Sequence, residues 1–306
     1  MNKKEILFFL LLIFHLKVIA YSINKGEDFY NEASPLSIIQ QQDTILQKRY
    51  TKIKRNINNN ELSNSLELSL DLLVDSKKAK NKKIEFLSTY LIGEIFMKLN
   101  NHKNALQYLN RSLKLLLKNN NEYFYEALNK YDLDFTKNIA FAKNYLSLGS
   151  EYIHINKIDS AKYFLNRTIE MSSLSSDLDN IKAPAYNNLS SIYISDSLYD
   201  KARVFSYKAL EIRRKTNNRL YEASTLGNIA SIYVLEKKYA KAKNLYHTAL
   251  DLIEKDNSST AFKHKRDLYY NLAWALYNLK DYTAYDYQEK SYIIKDSLRD
   301  VEVEQL

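Results

Sequence analysis

Along most of the chain, apolar and small residues recur at intervals of three and four, and short polar stretches interrupt them at regular distances. The segment from Ala223 to Leu250 shows this most cleanly. Ile229, Ala230 and Tyr233 form one run, Tyr239, Ala242, Tyr246 and Ala249 a second, and the polar Glu236, Lys237 and Lys238 lie between them. This spacing puts each run on one face of a helix, and the polar break folds the two helices into an antiparallel hairpin. Ala242 and Ala249 stand two turns apart on that face. Small residues at both places let the helices approach closely, while the three tyrosines fill the space around the crossing.

The same unit recurs. Ile92, Gly93 and Phe96 are followed by Ala105, Leu109 and Ser112; Leu148, Gly149 and Tyr152 by Ala161, Leu165 and Thr168; Leu189, Ser190 and Tyr193 by Ala202, Ser206 and Ala209. Upstream, Ser34 and Pro35 supply an N-cap and a first-turn proline for a helix carrying Leu36, Ile39, Leu46, Tyr50 and Ile53 on one face. Its partner is expected over Glu61 to Val74, with Ser65 and Leu72 as the close-approach pair, which makes a degenerate first unit. Downstream, Leu272, Ala273 and Leu276 lead to Tyr282, and Tyr285 and Tyr292 fall where the small pair is expected. This predicts a terminal unit whose outer face receives no neighbour. From Ser65 through Ala105, Ala161, Ala202 and Ala242 to Tyr285 the steps are 40, 56, 41, 40 and 43 residues. The long step holds an insertion around Asn119 to Asp134, expected as a bulging loop or a long helix extension. The fold class is therefore all-α, with about six hairpins over residues 34–80, 84–118, 136–172, 182–215, 221–255 and 265–298. A polar leader at 21–33 precedes the array and a tail at 299–306 follows it.

The order of these positions resembles the tetratricopeptide repeat, whose pattern runs Leu-Gly-x-x-Tyr, then Ala-x-x-x-Phe, then Ala. Ile229, Ala230 and Tyr233 stand in its first part and Ala242, Tyr246 and Ala249 in the rest. The period exceeds the usual 34 or so and is similar to the repeats of the kinesin light chain and of related bacterial sensors. The resemblance implies an α-α superhelix whose first helices line a concave groove for an extended or helical segment of a protein or peptide partner. It also implies that the residue before the leucine position faces that groove. Here this residue is Asn188, Asn228 and Asn271 in the last three units, and Leu91 and Ser147 in the second and third. An amide both donates and accepts, so a row of them pairs with a peptide backbone whatever its side chains. Ser191, Ser231 and Trp274 lie three residues on, and Tyr270 with Trp274 would stack a ligand side chain. The alternative is that the amides bond across to neighbouring helices and the aromatic pair is helix packing. The segment from Tyr292 to Leu298 is similar to the junction in exported Bacteroidetes repeat proteins, where a coiled helix, a membrane span and a histidine kinase or helix-turn-helix effector follow. That likeness implies a second reading, the sensory input half of a membrane signalling protein.

Composition narrows the chemistry. Only four Gly and two Pro occur in 306 residues, against average usages of roughly 7% and 5%, which disfavours a turn-rich β fold and leaves no nucleotide-cradling glycine loop. Forty-five Lys and Arg against 36 Asp and Glu give a net charge of +9. The charges are dispersed, and the densest run, Lys77, Lys78, Lys80, Lys82 and Lys83, falls where a loop joins two helices, so a solvated loop is expected and no nucleic-acid partner. Absence of Cys removes disulfides, thiolate metal sites and a thiol nucleophile. His15, His102, His154, His247 and His264 are scattered, and Glu151 with His154 has a di-iron spacing but no second copy. The pair is expected as exposed polar residues near a helix end. No catalytic residue, metal or cofactor is expected. At the N-terminus, Lys3 and Lys4 precede the apolar run Ile6 to Phe14, and small residues lead to a cut after Ala20. These are the parts of a secretory signal at 1–20, too short for a span of about 20 apolar residues. An exported, periplasmic or secreted module is expected, or one anchored by an uncleaved N-terminal segment.

Overall fold

The computed structural model describes the backbone of residues 35–132 and 135–304 and the side chains of 41–129, 132 and 135–298. The expected signal and leader lie outside the described residues. The chain divides into two compact units, Met1–Lys48 and Arg49–Leu306. Of the first, only the opening part of helix α1 is described; the second holds the rest of α1 and all the other helices.

Among the described residues there are thirteen α-helices and no strand. α1 (Pro35–Asn58) and α2 (Leu62–Lys78) are followed by α3 (Lys82–Lys98), α4 (His102–Lys118) and the short α5 (Glu122–Tyr131). Then come α6 (Lys137–His154), α7 (Ile158–Ser172), α8 (Asp179–Ser195) and α9 (Tyr199–Lys215). α10 (Arg219–Leu235), α11 (Tyr239–Ile253), α12 (Ser259–Asn278) and α13 (Ala284–Glu304) complete the array. The helices pair as hairpins: α3 packs on α4, α6 on α7, α8 on α9, α10 on α11 and α12 on α13, and each second helix also packs on the first helix of the next hairpin. The result is a helical solenoid. First helices of successive hairpins also touch, α6 with α8 and α10 with α12, while no two second helices of successive hairpins approach as closely. First helices therefore lie on the inner side of the stack.

In a chain with so few glycines, eight of the described helices still end on a left-handed residue. Asn60, Lys80, Asn100, Asn156, Ser197, Asn217, Lys237 and Lys280 take positive φ between 51° and 66°. Each closes a helix end. After Lys237, for example, the Lys238 amide donates to the Tyr233 carbonyl at 2.8 Å while that of Lys237 itself reaches Val234 at 2.9 Å. Asparagine tolerates this conformation because its short polar side chain bonds locally, whereas lysine takes it at a cost of roughly 1–2 kcal/mol. Asparagines also start helices: Asn81 accepts from the Ile84 amide at 3.1 Å and Asn121 from Phe124 at 2.9 Å.

The crossings are made by the small residues. Ala105, Ala161, Ala202, Ala209, Ala242 and Ala249 are fully buried, as are Ser65, Ser112 and Ser206. A Cβ on Gly93 would lie 2.9 Å from the Leu109 side chain and one on Gly149 2.8 Å from that of Leu165, so the helices there are in contact at the backbone. In the fourth hairpin two serines replace this pair, Ser190 and Ser206 sharing a 2.7 Å hydrogen bond. In the last hairpin the structure corrects the expected register. Tyr285 and Tyr292 are exposed, and the buried small pair is Ala284 and Ser291, one residue earlier. The connector is shorter by one residue, twelve from Leu272 to Ala284 where the other hairpins have thirteen. The final hairpin is thus closed by a small pair, as the others are.

Charges tie neighbouring repeats together along one edge. Lys162 pairs with Asp196 at 3.4 Å, Arg203 with Glu236, and Lys243 with Asp281 at 2.9 Å. Each base follows a crossing alanine, and each acid lies in the next hairpin's turn. Pairs near the surface contribute about 0–1 kcal/mol each. The lysine-rich run spans the α2–α3 turn, where Lys82 pairs with Glu85 at 2.7 Å.

Candidate functional site

The inner face is read from residues two before and two after the leucine position of each first helix, which fall one turn apart on the same side. At the first level stand Tyr50, Tyr90, Leu146, Asn187, Gly227 and Tyr270; at the second, Lys54, Glu94, Ser150, Ser191, Ser231 and Trp274. The forty-residue step between Tyr50 and Tyr90, and between Lys54 and Glu94, marks them as equivalent.

The first half of this face is filled by the chain itself. The insertion is neither a bulging loop nor an extension of α4: it is the separate helix α5, followed by Asp132 and Phe135. Asn121 caps it, and Phe124 and Leu128, one turn apart, point into the array and are buried. The Tyr50 hydroxyl donates to Asp132 Oδ2 at 2.6 Å, and Lys54 Nζ donates to the same oxygen at 2.7 Å. The Phe135 ring stands edge-on to Phe86 and Tyr90, with 5.9 Å between centroids in each case, under the Lys143 ammonium at 4.6 Å. The Tyr90 hydroxyl donates to Glu94 at 2.9 Å and lies 3.4 Å from Ser147 Oγ. Burial, and then the Asp132 carboxylate, push the Tyr50 hydroxyl far up. Burial likewise raises the Glu94 carboxyl, against the pull of the Tyr90 hydrogen bond and of Lys143.

The second half is open. Asn188 and Asn271 are half-buried and Asn228 is exposed, and among the described residues none of the three side-chain amides bonds to another group. Ser191 is exposed. Ser231 is committed within its hairpin, since its hydroxyl bonds to the Gly227 carbonyl at 3.0 Å and to the Tyr246 hydroxyl at 2.9 Å. At the end of the row Tyr270 and Trp274 are each 55% exposed and Tyr277 60%. Trp274 stacks on Tyr277 with centroids 6.1 Å apart. With Ala273, Ala284, Tyr285 and Gln288 these three aromatics line a cleft of about 240 Å³. Gln288 is the cause: it stands four residues past the small Ala284, where other hairpins place the buried Leu109, Leu165 or Tyr246.

The histidines are less scattered than the sequence suggests. His102 Nδ1 lies 2.9 Å from Glu151 Oε2, and the His102 and His154 rings stack at 4.8 Å. Glu151 is not an exposed residue near a helix end, since it is 1% exposed and joins the second hairpin to the third. Among the described residues no group of three or more acidic or histidine side chains is placed to hold a metal ion, and no helix is long and apolar enough to cross a membrane.

Two stretches match models of the tetratricopeptide repeat, residues 88–115 and residues 182–255, and the hairpins between and beyond them share the same crossings. The chain carries tetratricopeptide repeats. Solved structures share the fold at low identity. A Rap protein complexed with competence and sporulation factor is 17% identical, with 91% of this chain and 70% of that chain covered and a TM-score of 0.60. NprR in complex with its cognate peptide NprX is 16% identical over 94% of this chain and 77% of that one, with a TM-score of 0.57. BtubC from P. vanneervenii is 15% identical over 81% and 92%, also at 0.57. No curated protein matches the sequence. In this tetratricopeptide array the open half of the groove is visible in the sequence and the filled half is not, because the residues that fill it carry no family signature. The forty-residue recurrence of Tyr50 at Tyr90 is a signal that points to it.

Proposed function

We propose that the protein is a non-catalytic interaction module that binds a peptide or helical segment of a partner along the inner face of its last three hairpins. The observation that carries this is the row of amides, Asn188, Asn228 and Asn271, unbonded among the described residues and leading to the aromatic cleft at Tyr270, Trp274 and Tyr277. Unpaired amides on a groove wall have donors and acceptors free for a ligand backbone, and a cleft of aromatic side chains takes an apolar or aromatic anchor. None of the residues at the two levels of this half is charged, so the ligand is recognised by its backbone and one large side chain. Two of the structures sharing the fold, those of the Rap protein and NprR, hold competence and sporulation factor and a cognate peptide respectively, which supports the reading. The apolar run Ile6 to Phe14 supports placing the module outside the cytoplasm; recovery of exported protein beginning at Tyr21 is the expected result of N-terminal sequencing.

The test is selection of a displayed peptide library on the full chain, followed by affinity measurement. Asn228→Ala with Asn271→Ala is expected to weaken the selected peptide at least tenfold with thermal unfolding unchanged. Unaltered affinity in that double variant, with Trp274→Ala also without effect, would sink the reading.

A further inference from the structure

We propose that Tyr50, Lys54, Phe86 and Tyr90 form a second peptide-recognition site, specific for an acidic residue followed three positions later by an aromatic one, and that the chain fills it with its own Asp132 and Phe135. None of these residues belongs to the open half, so either site can exist without the other.

The site has the chemistry of a ligand pocket. One carboxylate oxygen receives both a phenol hydroxyl at 2.6 Å and an ammonium at 2.7 Å, from residues on the inner face of α1 one turn apart. Beside it, Phe86 and Tyr90 from the next first helix meet one ring on its edge and Lys143 lies over that ring. Charge-assisted bonds to a carboxylate and edge contacts to an aromatic are how a groove selects side chains, beyond what packing alone requires. Tyr50, Lys54 and Tyr90 occupy the same two levels as Ser191, Tyr270 and Trp274 in the open half.

The occupant is an addition to the solenoid. Helix α4 packs directly on α6, so the stack is continuous without α5. The insertion accounts for the single step of 56 residues among steps near 40. Its two connections, Asn120 to Glu122 and Thr136 to Lys137, line one cleft of about 500 Å³. Leaving and rejoining the array at one place allows the segment to withdraw without separating hairpins. A structural filler would need apolar contacts only, which Phe124 and Leu128 already provide. The buried Asp132, 8% exposed, is costly to place there except opposite Lys54 and Tyr50.

The experiment uses the full chain and a labelled synthetic peptide of residues 119–136. Wild type, with its site filled, is expected to show no measurable binding. Asp132→Asn combined with Phe135→Ala is expected to bind the peptide at least tenfold more tightly than wild type, and adding Tyr50→Phe with Lys54→Ala to remove that binding. Equal binding to wild type and to the double variant, or binding to neither, overturns the proposal. Hydrogen exchange on the wild type serves where a variant fails to fold. Amides of 122–131 are expected to exchange at least tenfold faster than those of 84–95 and 140–151; exchange in step with those helices makes the insertion part of the spine and overturns the proposal equally.

Discussion

The two halves of the inner face are built on the same frame and used in opposite ways. In the first, the side chains at the two recurring levels are Tyr50, Lys54, Tyr90 and Glu94, and each has a partner within the chain. In the second they include Ser191, Tyr270 and Trp274, which face solvent. The backbone that positions them is equivalent, since the crossings beneath are the same buried small residues. The difference therefore lies in the residues on the inner strip and in one insertion, not in the fold. It teaches that a solenoid sets where side chains stand, while their identity decides whether the surface is closed by the chain or left for another molecule.

This contrast is most strongly tested by truncating an aromatic in each half. Phe86→Ala, fully buried against Tyr90, Phe124 and Phe135, is expected to cost about 3–5 kcal/mol, whereas Trp274→Ala is expected to cost under about 1 kcal/mol. Urea unfolding of both variants measures this, and equal losses would remove the distinction between a closed and an open half. Next in size is Gly149→Ala. Its new methyl meets Leu165, with the backbone nitrogen 3.3 Å away, and a net loss of about 1–2 kcal/mol is expected from overpacking after the gain in helix propensity. Gly227→Ala meets only the Leu268 side chain and is expected to lose less.

The pH dependence sharpens the comparison further, because the half-buried Glu94 carboxyl of the closed half has no counterpart at its level in the open one. Burial holds the folded Glu94 carboxyl above its ordinary value of 4.5. The folded state thus keeps a proton that the unfolded state gives up, and this contribution is full below that value and lost as pH rises through the folded one. Glu94→Gln, which still accepts from Tyr90, is expected to raise the melting temperature at pH 7 and to leave it unchanged near pH 4. A larger gain at pH 4 than at pH 7 would reverse the sign and refute the assignment. The smallest effect is expected at the turns. Lys80→Gly and Lys237→Gly relieve positive φ in both halves and are expected to stabilise by about 0.5–1 kcal/mol each, with Asn60→Gly gaining less; thermal unfolding checks the order.

Much of this arrangement is legible in the sequence. The crossings at Ala105, Ala161, Ala202 and Ala242 follow from small residues recurring near forty, because only a small side chain fits where two helices touch. The last crossing falls on Ala284 and not on Tyr285, since a connector one residue shorter shifts the register and spacing alone does not distinguish Ala284 from its neighbour. The insertion is illegible for another reason. A ten-residue helix such as α5 carries little periodic signal, and its stability comes from contacts with Phe86 and Phe141 elsewhere in the chain. Its N-cap Asn121 and the Phe124 and Leu128 spacing are the local clues. The amides at Asn188, Asn228 and Asn271 are visible as a row, yet whether they bond to a neighbouring helix depends on distances that no pattern encodes.

The direct stacking of α4 on α6 makes the junction between the second and third hairpins a side port on a weight-carrying column. Material inserted there hangs beside the column and does not interrupt it. Other segments of different length or recognition sequence can be spliced in at the same point while every remaining joint keeps its register, so the scaffold can acquire a new built-in occupant without its spine being laid again.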